Sequence, residues 1–197
     1  MKLFWDERYN TDEYVYGITP NSYLKNFIDK NTPGKILFPA DGEGRNSVYA
    51  AKKGWDVYAF DSSIYAKKKA DKLAKINNVK INYEVKNFNA VSFNSEFDAV
   101  VLIYAHFPPE LRKIFHSKTI SFLTHKGKII LEAFSKGQIN YNSGGPRDIN
   151  RLYDEHDLQE DFKALKITHL NTEIIELNEG AFHKGNAEVI RLYAEKI

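Results

Sequence analysis

Short apolar runs recur along the chain, and the segments between them have the spacing of amphipathic helices. Runs rich in β-branched and aromatic residues cover residues 35–40, 56–61, 80–86, 97–105 and 127–134. Several are almost continuously apolar, which is typical of strands buried on both faces. The intervening segments predict helices over residues 45–53, 63–77, 109–123 and 148–162. This alternation indicates right-handed crossovers and a mostly parallel sheet.

The C-terminal part of the chain has a different pattern. Residues 166–176 and 188–196 are both β-rich, and residues 178–186 between them contain two glycines and no helical segment. This pattern predicts a β-hairpin whose last strand runs antiparallel to the others. The chain therefore predicts an α/β fold, a Rossmann-like, seven-stranded, mostly parallel sheet with helices on both faces and a C-terminal hairpin. Residues 1–197 are expected to form a single domain.

The first 20 residues follow neither the helical nor the strand period and are rich in aromatic and acidic residues. They end at Thr19 and Pro20, which predict the N-cap and first position of a short helix. The aromatic side chains of this segment could fold over a ligand as a lid, or they could seal one end of the sheet. They are Trp5, Tyr9, Tyr14 and Tyr16.

Composition excludes several classes of protein. The 197 residues include 28 Lys and Arg against 26 Asp and Glu, and a net charge of +2 argues against a dedicated nucleic-acid binder. The absence of Cys excludes disulfides, cysteine nucleophiles and thiolate metal sites. No stretch approaches the roughly 18 apolar residues of a membrane span. The N-terminal sequence MKLFWDERYN lacks the features of a signal peptide, so a cytoplasmic protein is expected.

The segment ILFPADGEGRN at residues 36–46 predicts a strand, a glycine-containing turn and then a helix. Gly42 and Gly44 allow the backbone to bend sharply and to approach a ligand closely. Asp61 ends the next predicted strand, 17 residues after Gly44. A carboxylate there accepts hydrogen bonds from ribose hydroxyls in nucleotide-binding βαβ units. Alternatively, the glycines are ordinary turn residues and Asp61 caps the following helix.

The charges of this turn favour one nucleotide over another. A dinucleotide fingerprint requires a third glycine, and Ser47 occupies that position. Asp41 and Glu43 would repel the phosphates of NAD, but they suit a ligand with an ammonium, a sulfonium and no phosphate. S-adenosylmethionine is such a ligand, and it is therefore the expected cofactor.

Several motifs, in the expected order, resemble those of class I S-adenosylmethionine-dependent methyltransferases over the whole chain. The matching motifs are PADGEGRN, VYAFDSS, FDAVVLIYAHFPP, HKGKIILEAF and the closing hairpin. Within that superfamily, three segments are similar to the tellurite-resistance-type small-molecule methyltransferases. They are FWDERY…EYVYG near the N-terminus, GRN after the glycine turn and ELNEGAFHKG in the hairpin.

The resemblance implies contacts with the methionine part of the cofactor at the first turn. Gly42 and Gly44 would pass close to it, and Asp41 would help to bind its ammonium, directly or through water. Asn46 opens the helix that follows the turn.

The resemblance also implies contacts with the adenosine part. Asp61 would bind the ribose, with Ser62 beside it. The family often has an acid after the third strand for the adenine amino group, and this chain has Asn87 and Phe88 there. Asn87 could accept the same hydrogen bond and Phe88 could pack on the ring, whereas a turn residue is the alternative for Asn87.

The end of the fourth predicted strand is expected to face the methyl group. Tyr104 and Ala105 lie there, and His106 precedes Phe-Pro-Pro where amide-nitrogen methyltransferases have Asn or Asp before Pro-Pro-aromatic. The missing carbonyl acceptor argues against an adenine or glutamine nitrogen as target. His106 and His183, which lies in the predicted hairpin loop, are the candidate bases. The alternatives are a packed His106 and a surface His183.

A methyltransferase acting on a small molecule is the function that these features favour. A small thiol, a chalcogen oxyanion or a similar acceptor is expected, without nucleic-acid or membrane partners. The remaining four histidines are spread along the chain and predict no metal site. One alternative is a regulatory module that binds S-adenosylmethionine without catalysis. The other is an NAD-dependent oxidoreductase, against which the missing third glycine argues.

Overall fold

The computed structural model describes residues 2–93 and 96–197, in which seven strands form one sheet. The strands are β1 (Lys35–Pro39), β2 (Asp56–Asp61), β3 (Asn82–Val85), β4 (Phe97–Ile103), β5 (Leu123–Phe134), β6 (Lys166–Asn178) and β7 (Lys184–Glu195). The helices are α1 (Lys2–Tyr9), α2 (Ser22–Lys30), α3 (Arg45–Lys52), α4 (Ile64–Ile76), α5 (Pro109–Ser121) and α6 (Glu155–Asp161).

The sheet has the order β3-β2-β1-β4-β5-β7-β6. Neighbouring strands from β3 to β5 are parallel, and β7 lies antiparallel between β5 and β6. The predicted Rossmann-like sheet with an antiparallel last strand is therefore confirmed. The strand order reverses direction between β1 and β4, and the carboxyl ends of parallel strands beside such a point form the usual ligand-binding crevice.

Two apolar cores cover the two faces of the sheet. In β1, Leu37 belongs to one core, whereas its neighbours Ile36 and Phe38 belong to the other. Successive side chains of a strand point to opposite faces, so burial on both sides requires an apolar residue at almost every position. This explains the continuous apolar runs of the sequence.

The N-terminal segment differs from the prediction. Residues 2–9 form α1, although they lack a helical apolar period, because Trp5 and Tyr9 stack one turn apart and pack against Ala66 of α4. Helix α2 begins at Ser22, later than predicted from Thr19 and Pro20. Its N-cap is Asn21, whose side chain accepts a hydrogen bond from the Leu24 amide.

The predicted helix over residues 148–162 is wrong in its first half. A 3₁₀ turn at Ile149–Arg151 is followed by an extended break, and the α-helix covers only Glu155–Asp161. Tyr153 is fully buried and forms a parallel bridge with Ser135, which holds the break next to the sheet. Asp154 then caps α6 by accepting a hydrogen bond from the Asp157 amide.

The hairpin strands are longer than predicted, so only residues 179–183 connect β6 and β7. The Glu179 amide donates to the His183 carbonyl across this connection. We call residues 179–183 the hairpin tip. Among the described residues, no helix is long and apolar enough to cross a membrane.

Candidate active site

The glycine turn after β1 and the end of β2 bring two carboxyl groups together. The Gly42 amide donates to Asp61 Oδ2 (3.2 Å), and the Ser63 amide donates to Asp61 Oδ1 (2.9 Å). The Ser47 hydroxyl donates to Asp41 Oδ2 (2.5 Å). Gly42 has a φ of 64°, and a Cβ there would lie 2.7 Å from the Tyr9 hydroxyl, so the turn leaves no room for a side chain.

The same two carboxyl groups are unusually hard to ionise. Burial raises the pKa of Asp41 to about 7, although the Ser47 hydroxyl opposes the shift. Burial also raises the pKa of Asp61 to about 6, against the backbone amides that donate to it. Within the part of the chain that the structure describes, the buried Asp41 Oδ1 has no hydrogen-bond partner. A buried acceptor left unpaired is costly, and a cationic ligand that donates to it would relieve that cost.

The other expected cofactor residues lie in different environments. Asn46 is buried, and its Oδ1 accepts a hydrogen bond from the Asn21 amide (3.0 Å). Ser62 is half-buried and Asn87 is exposed. Phe88 is 7% exposed and stacks on Phe115 in the main core, with ring centroids 4.5 Å apart. Most of the Phe88 ring is therefore already covered by the protein.

Tyr104 follows β4 and stands beside the glycine turn at the same edge of the sheet. Its φ of 53° is unusual for a non-glycine residue, and such strain is common at functional sites. The Tyr104 hydroxyl donates to Glu132 Oε1 (2.8 Å), and its ring stacks on Phe134 (4.7 Å). Ala105 is buried, and its carbonyl accepts from the Tyr153 hydroxyl.

His106 is held by the backbone through both ring nitrogens. Nδ1 lies 2.7 Å from the Arg151 carbonyl oxygen, and Nε2 accepts a hydrogen bond from the Phe134 amide (3.2 Å). Burial lowers the pKa of His106 to about 4, although the Arg151 carbonyl opposes this. The arrangement fixes a neutral ring with its acceptor nitrogen in use. This environment fits a packed, structural His106 better than a catalytic base.

His183 lies in the hairpin tip within an aromatic enclosure. Ring centroids of Tyr16, Tyr104 and Phe134 lie 4.5, 4.7 and 5.2 Å from its own. His183 is 6% exposed, which excludes the alternative of a surface loop residue. Its Nδ1 lies 3.4 Å from Glu179 Oε2. Burial lowers the pKa of His183, and the Glu179 carboxylate opposes the shift.

The N-terminal residues 2–17, which we call the N-terminal segment, cross directly over this site. Tyr9 packs on Gly42, and the Ser63 hydroxyl donates to Asp6 (2.6 Å). The segment continues to the hairpin tip, where Tyr16 contacts His183 and the Val15 carbonyl approaches Gly180 too closely for any Cβ. Of the expected lid residues, Tyr9 and Tyr16 reach the site. Trp5 stacks behind Tyr9, and Tyr14 donates to the Lys69 carbonyl.

A buried ion pair fastens the N-terminal segment to the glycine turn. Lys69 Nζ lies 2.7 Å from Glu43 Oε1 and also donates to the Glu13 carbonyl and the Thr11 hydroxyl. Glu43 Oε2 in turn accepts from the Tyr16 amide (3.3 Å). The sequence analysis missed this pair. The available signal was the spacing of Lys69, which places it on the buried face of α4.

A second polar cluster, also missed, connects α2, α3, β5 and the hairpin. Asn21 donates to Glu132 (2.5 Å) and to Glu179 (3.3 Å). Arg45 donates to Glu179 (2.8 Å), and Arg191 donates to the fully buried Glu132 (2.6 Å). The partners are far apart in sequence, so no local motif indicated them.

One group of potential metal ligands lies away from this site. Ligand atoms of Asp154, His156 and Asp157 all lie within 4.8 Å of one another. Lys136 forms ion pairs with Asp154 (2.6 Å) and Asp157 (3.0 Å), so its ammonium already balances the charge of this group. The sequence analysis did not single out this group.

The sheet order, the glycine turn and the acid at the end of β2 define a class I S-adenosylmethionine-dependent methyltransferase. The sequence profile of the family described as "Tellurite resistance protein TehB" matches residues 3–193, and the chain belongs to this family. Family membership confirms the resemblance seen in the motifs.

Solved structures confirm the fold. TehB from Haemophilus influenzae has a TM-score of 0.75 at 18% identity, covering 100% of this chain and 67% of that one. Magnesium protoporphyrin IX methyltransferase from Synechocystis with bound S-adenosylmethionine has a TM-score of 0.70 at 16% identity, covering 100% and 97%. Both likenesses extend over the whole of this chain and establish its fold.

Curated relatives match over a shorter region. The tRNA (uracil(54)-C(5))-methyltransferase of Pyrococcus furiosus is 31% identical over 141 residues, which cover 64% of this chain and 33% of that protein. The corresponding protein of Pyrococcus abyssi is 32% identical over 116 residues, covering 52% and 28%. The chain spans at most about a third of the length of these relatives.

Proposed function

We propose that this protein transfers the methyl group of S-adenosylmethionine to a small-molecule acceptor, such as a thiol or a chalcogen oxyanion. The observation that carries the proposal is the aromatic enclosure of His183 by Tyr16, Tyr104 and Phe134. One of these rings comes from the N-terminal segment, so the chain itself covers the site. Such a covered site, lined by aromatic rings, suits a compact acceptor and not a polymer.

The residues around the glycine turn fit the cofactor. The unpaired Oδ1 of Asp41 suits its ammonium, and the Asp61 carboxyl group, which backbone amides hold in place, suits a ribose hydroxyl. Gly42 and Gly44 allow the close approach of the methionine part, with Asn46 and Ser62 beside them. Bound cofactor supplies a methyl group made electrophilic by the sulfonium.

The adenine contacts are assigned to Asn87 and Phe88, which follow β3. Asn87 is exposed after β3 and free to accept from the adenine amino group. Only a small part of Phe88 is accessible for packing on the ring. Tyr104 and Ala105, at the end of β4, would face the methyl group.

Methyl transfer requires an in-line approach of the acceptor, so the protein contributes mainly position and exclusion of water. Tyr16, Tyr104 and Phe134 would exclude water around the acceptor, whose lone pair would take up the methyl group that the cofactor supplies. Where the acceptor carries a proton, we assign its removal to His183. His106 is assigned a structural role, because both of its nitrogens are engaged by the backbone.

The experiment that tests this function supplies cofactor with a labelled methyl group and a panel of acceptors. Thiols, selenite, tellurite and phenols form one arm, and tRNA, DNA and protein form the other. We expect label in at least one small acceptor and none in the polymers. Label in the polymers, with no small acceptor found in a broad screen, would contradict the proposed substrate class.

Variants of the histidines refine the test. His183→Ala should lower turnover of a protonated acceptor by roughly 10²-fold, the usual contribution of a general base, with little change in cofactor affinity. His125→Ala is the matched control, because His125 is exposed on β5 and should leave turnover unchanged. Equal activity of the His183 variant and the control would remove His183 from the mechanism.

A further inference from the structure

The hairpin tip places a half-buried carboxylate, that of Glu179, behind His183. Glu179 Oε2 lies 3.4 Å from His183 Nδ1, and the Glu179 amide donates to the His183 carbonyl (2.8 Å). The side chain and the backbone of Glu179 therefore both hold the same residue. A carboxylate on one ring nitrogen fixes the tautomer and leaves the lone pair on the other nitrogen.

Glu179 is itself held in place from three sides. Arg45 NH2 donates to its Oε2 (2.8 Å), and Asn21 Nδ2 donates to its Oε1 (3.3 Å). Arg45 also donates to the Thr19 carbonyl. Burial opposes ionisation of Glu179, but His183 and Arg45 outweigh it and lower the pKa of the Glu179 carboxyl to about 2. The carboxylate is thus charged and oriented before any ligand arrives.

Arg45 connects the Glu179 carboxylate to the glycine turn. Arg45 is the first residue of α3, directly after Gly44 of the glycine turn. The Arg45–Glu179 ion pair therefore joins the turn to the hairpin tip, across 134 residues of sequence. Arg45 therefore fixes the position of the hairpin tip, which carries His183, relative to the glycine turn.

We propose that Glu179 is a positioning residue for His183: its carboxylate accepts a hydrogen bond from Nδ1–H and directs Nε2 toward the acceptor. The proposal rests on the function proposed above. When His183 takes a proton from the acceptor, Glu179 stabilises the resulting imidazolium and does not itself become protonated. Glu179 does not touch the acceptor.

Several other groups face His183 and act on its charge. The charged and titratable side chains around it are Glu179 of the hairpin tip, Arg45 of α3, Glu132 of β5, His106 and Tyr104 after β4, and Tyr16 of the N-terminal segment. Arg45 disfavours the imidazolium, whereas Glu179 and Glu132 favour it. Removal of the Glu179 charge leaves the effects of Arg45 and of burial less opposed, so the pKa of His183 should fall.

The decisive measurement is an NMR titration of His183 in Glu179→Gln, which retains the shape of the side chain and removes its charge. We expect the pKa of His183 to be lower than in the unaltered protein and to be restored in Glu179→Asp. Glu176→Gln is the matched control, because Glu176 is exposed on β6, three residues before Glu179. An unchanged pKa of His183 in Glu179→Gln would overturn the proposal.

Kinetics supply the second readout. In Glu179→Gln we expect kcat to fall about tenfold or more, as for other partners of functional histidines, with KM for the cofactor nearly constant. The acidic limb of the pH profile should move to lower pH together with the pKa of His183. An equal fall of kcat in Glu176→Gln, or an unmoved limb, would contradict the positioning role. Because the titration needs no acceptor, a lowered pKa in a protein that methylates nothing would refute the proposed function alone.

Discussion

At the scale of single residues, Asp41 in the glycine turn and Asp61 at the end of β2 are each subject to two opposing effects. Their burial disfavours the charged form, whereas a ligand with an ammonium requires that form. The free protein therefore carries a cost that the bound cofactor is positioned to relieve. Measurements of protein stability and of cofactor affinity, which need no methyl acceptor, can therefore test both carboxyl groups.

Asp41→Asn should change how the stability of the free protein depends on pH. The folded-state pKa of Asp41 is about 7, above its ordinary value of 3.8, so the unfolded chain loses this proton first as pH rises. The contribution of Asp41 to stability therefore falls between about pH 4 and 7 and is constant above. We expect the free energy of unfolding of the variant, relative to the unaltered protein, to increase over that range. Denaturant titrations at pH 5 and pH 8 measure the difference, and a constant difference would contradict the raised pKa.

Asp61→Asn tests the ribose assignment. The variant retains an acceptor for the Gly42 or Ser63 amide, but it loses charge-assisted acceptor capacity for the ribose. Cofactor affinity should fall by about 1–3 kcal/mol, the cost of losing hydrogen bonds to a charged group. Calorimetry measures the affinity, with Asp56→Asn at the exposed start of β2 as control. The same affinity in both variants would remove Asp61 from the cofactor site.

At the scale of elements, the sequence pattern predicted those segments whose burial follows a period. Strands β1, β4 and β5 are buried on both faces or nearly so, and their apolar runs are visible without knowledge of the fold. Helix α1 has no such period, because it is held by one aromatic stack and its contact with α4. The segment 148–162 was predicted as one helix because its break depends on the burial of Tyr153 beside Ser135, a distant strand end.

In the candidate site, too, residues within a local motif were predicted, whereas contacts between distant residues were not. The glycine turn and Asp61 belong to a motif with fixed spacing, so their positions were predicted correctly at the carboxyl edge. The Glu43–Lys69 and Arg45–Glu179 pairs join residues 26 and 134 positions apart, and pairing at such distances leaves no local pattern. His106 was assigned by its place after β4, but its engagement with the Arg151 carbonyl depends on the unpredicted 3₁₀ turn.

We expect the Glu43–Lys69 ion pair to hold the N-terminal segment in place over the glycine turn. Lys69→Met removes the contacts with Thr11 and Glu13 and leaves Glu43 buried without its partner. Such a loss typically costs about 3–5 kcal/mol, so residues 10–17 should become more sensitive to proteolysis and to hydrogen exchange. The exposed Lys72→Met is the control on the same helix.

The double variant Glu43→Gln/Lys69→Met tests whether the two side chains stabilise the protein as a pair. It leaves no unpaired buried charge, so its loss of stability should be smaller than the sum of the two single losses. Strict additivity of the three measured free energies of unfolding would show that the two side chains do not act as a pair.

At the scale of the whole molecule, the proposed cofactor site is built by parts that are distant in sequence. The glycine turn and the end of β2 form its floor, and the N-terminal segment crosses above it from α4 to the hairpin tip. A ligand held between these parts stabilises all of them together, because it binds the folded chain and not the unfolded one. Thermal unfolding of the entire protein therefore reports on the site.

Bound S-adenosylmethionine, or its demethylated product, should raise Tm by a predictable amount. At a concentration about 100 times Kd, binding stabilises the folded state by about 2.7 kcal/mol, which corresponds to roughly 5–10 °C for a chain of this size. NAD should produce no shift, because the Asp41 carboxylate repels its phosphates and Ser47 replaces the third glycine. Lys69→Met, which loosens the cover over the site, should reduce the shift at equal cofactor concentration, whereas Lys72→Met should not. A shift with NAD equal to that with S-adenosylmethionine would contradict the electrostatic basis of cofactor choice.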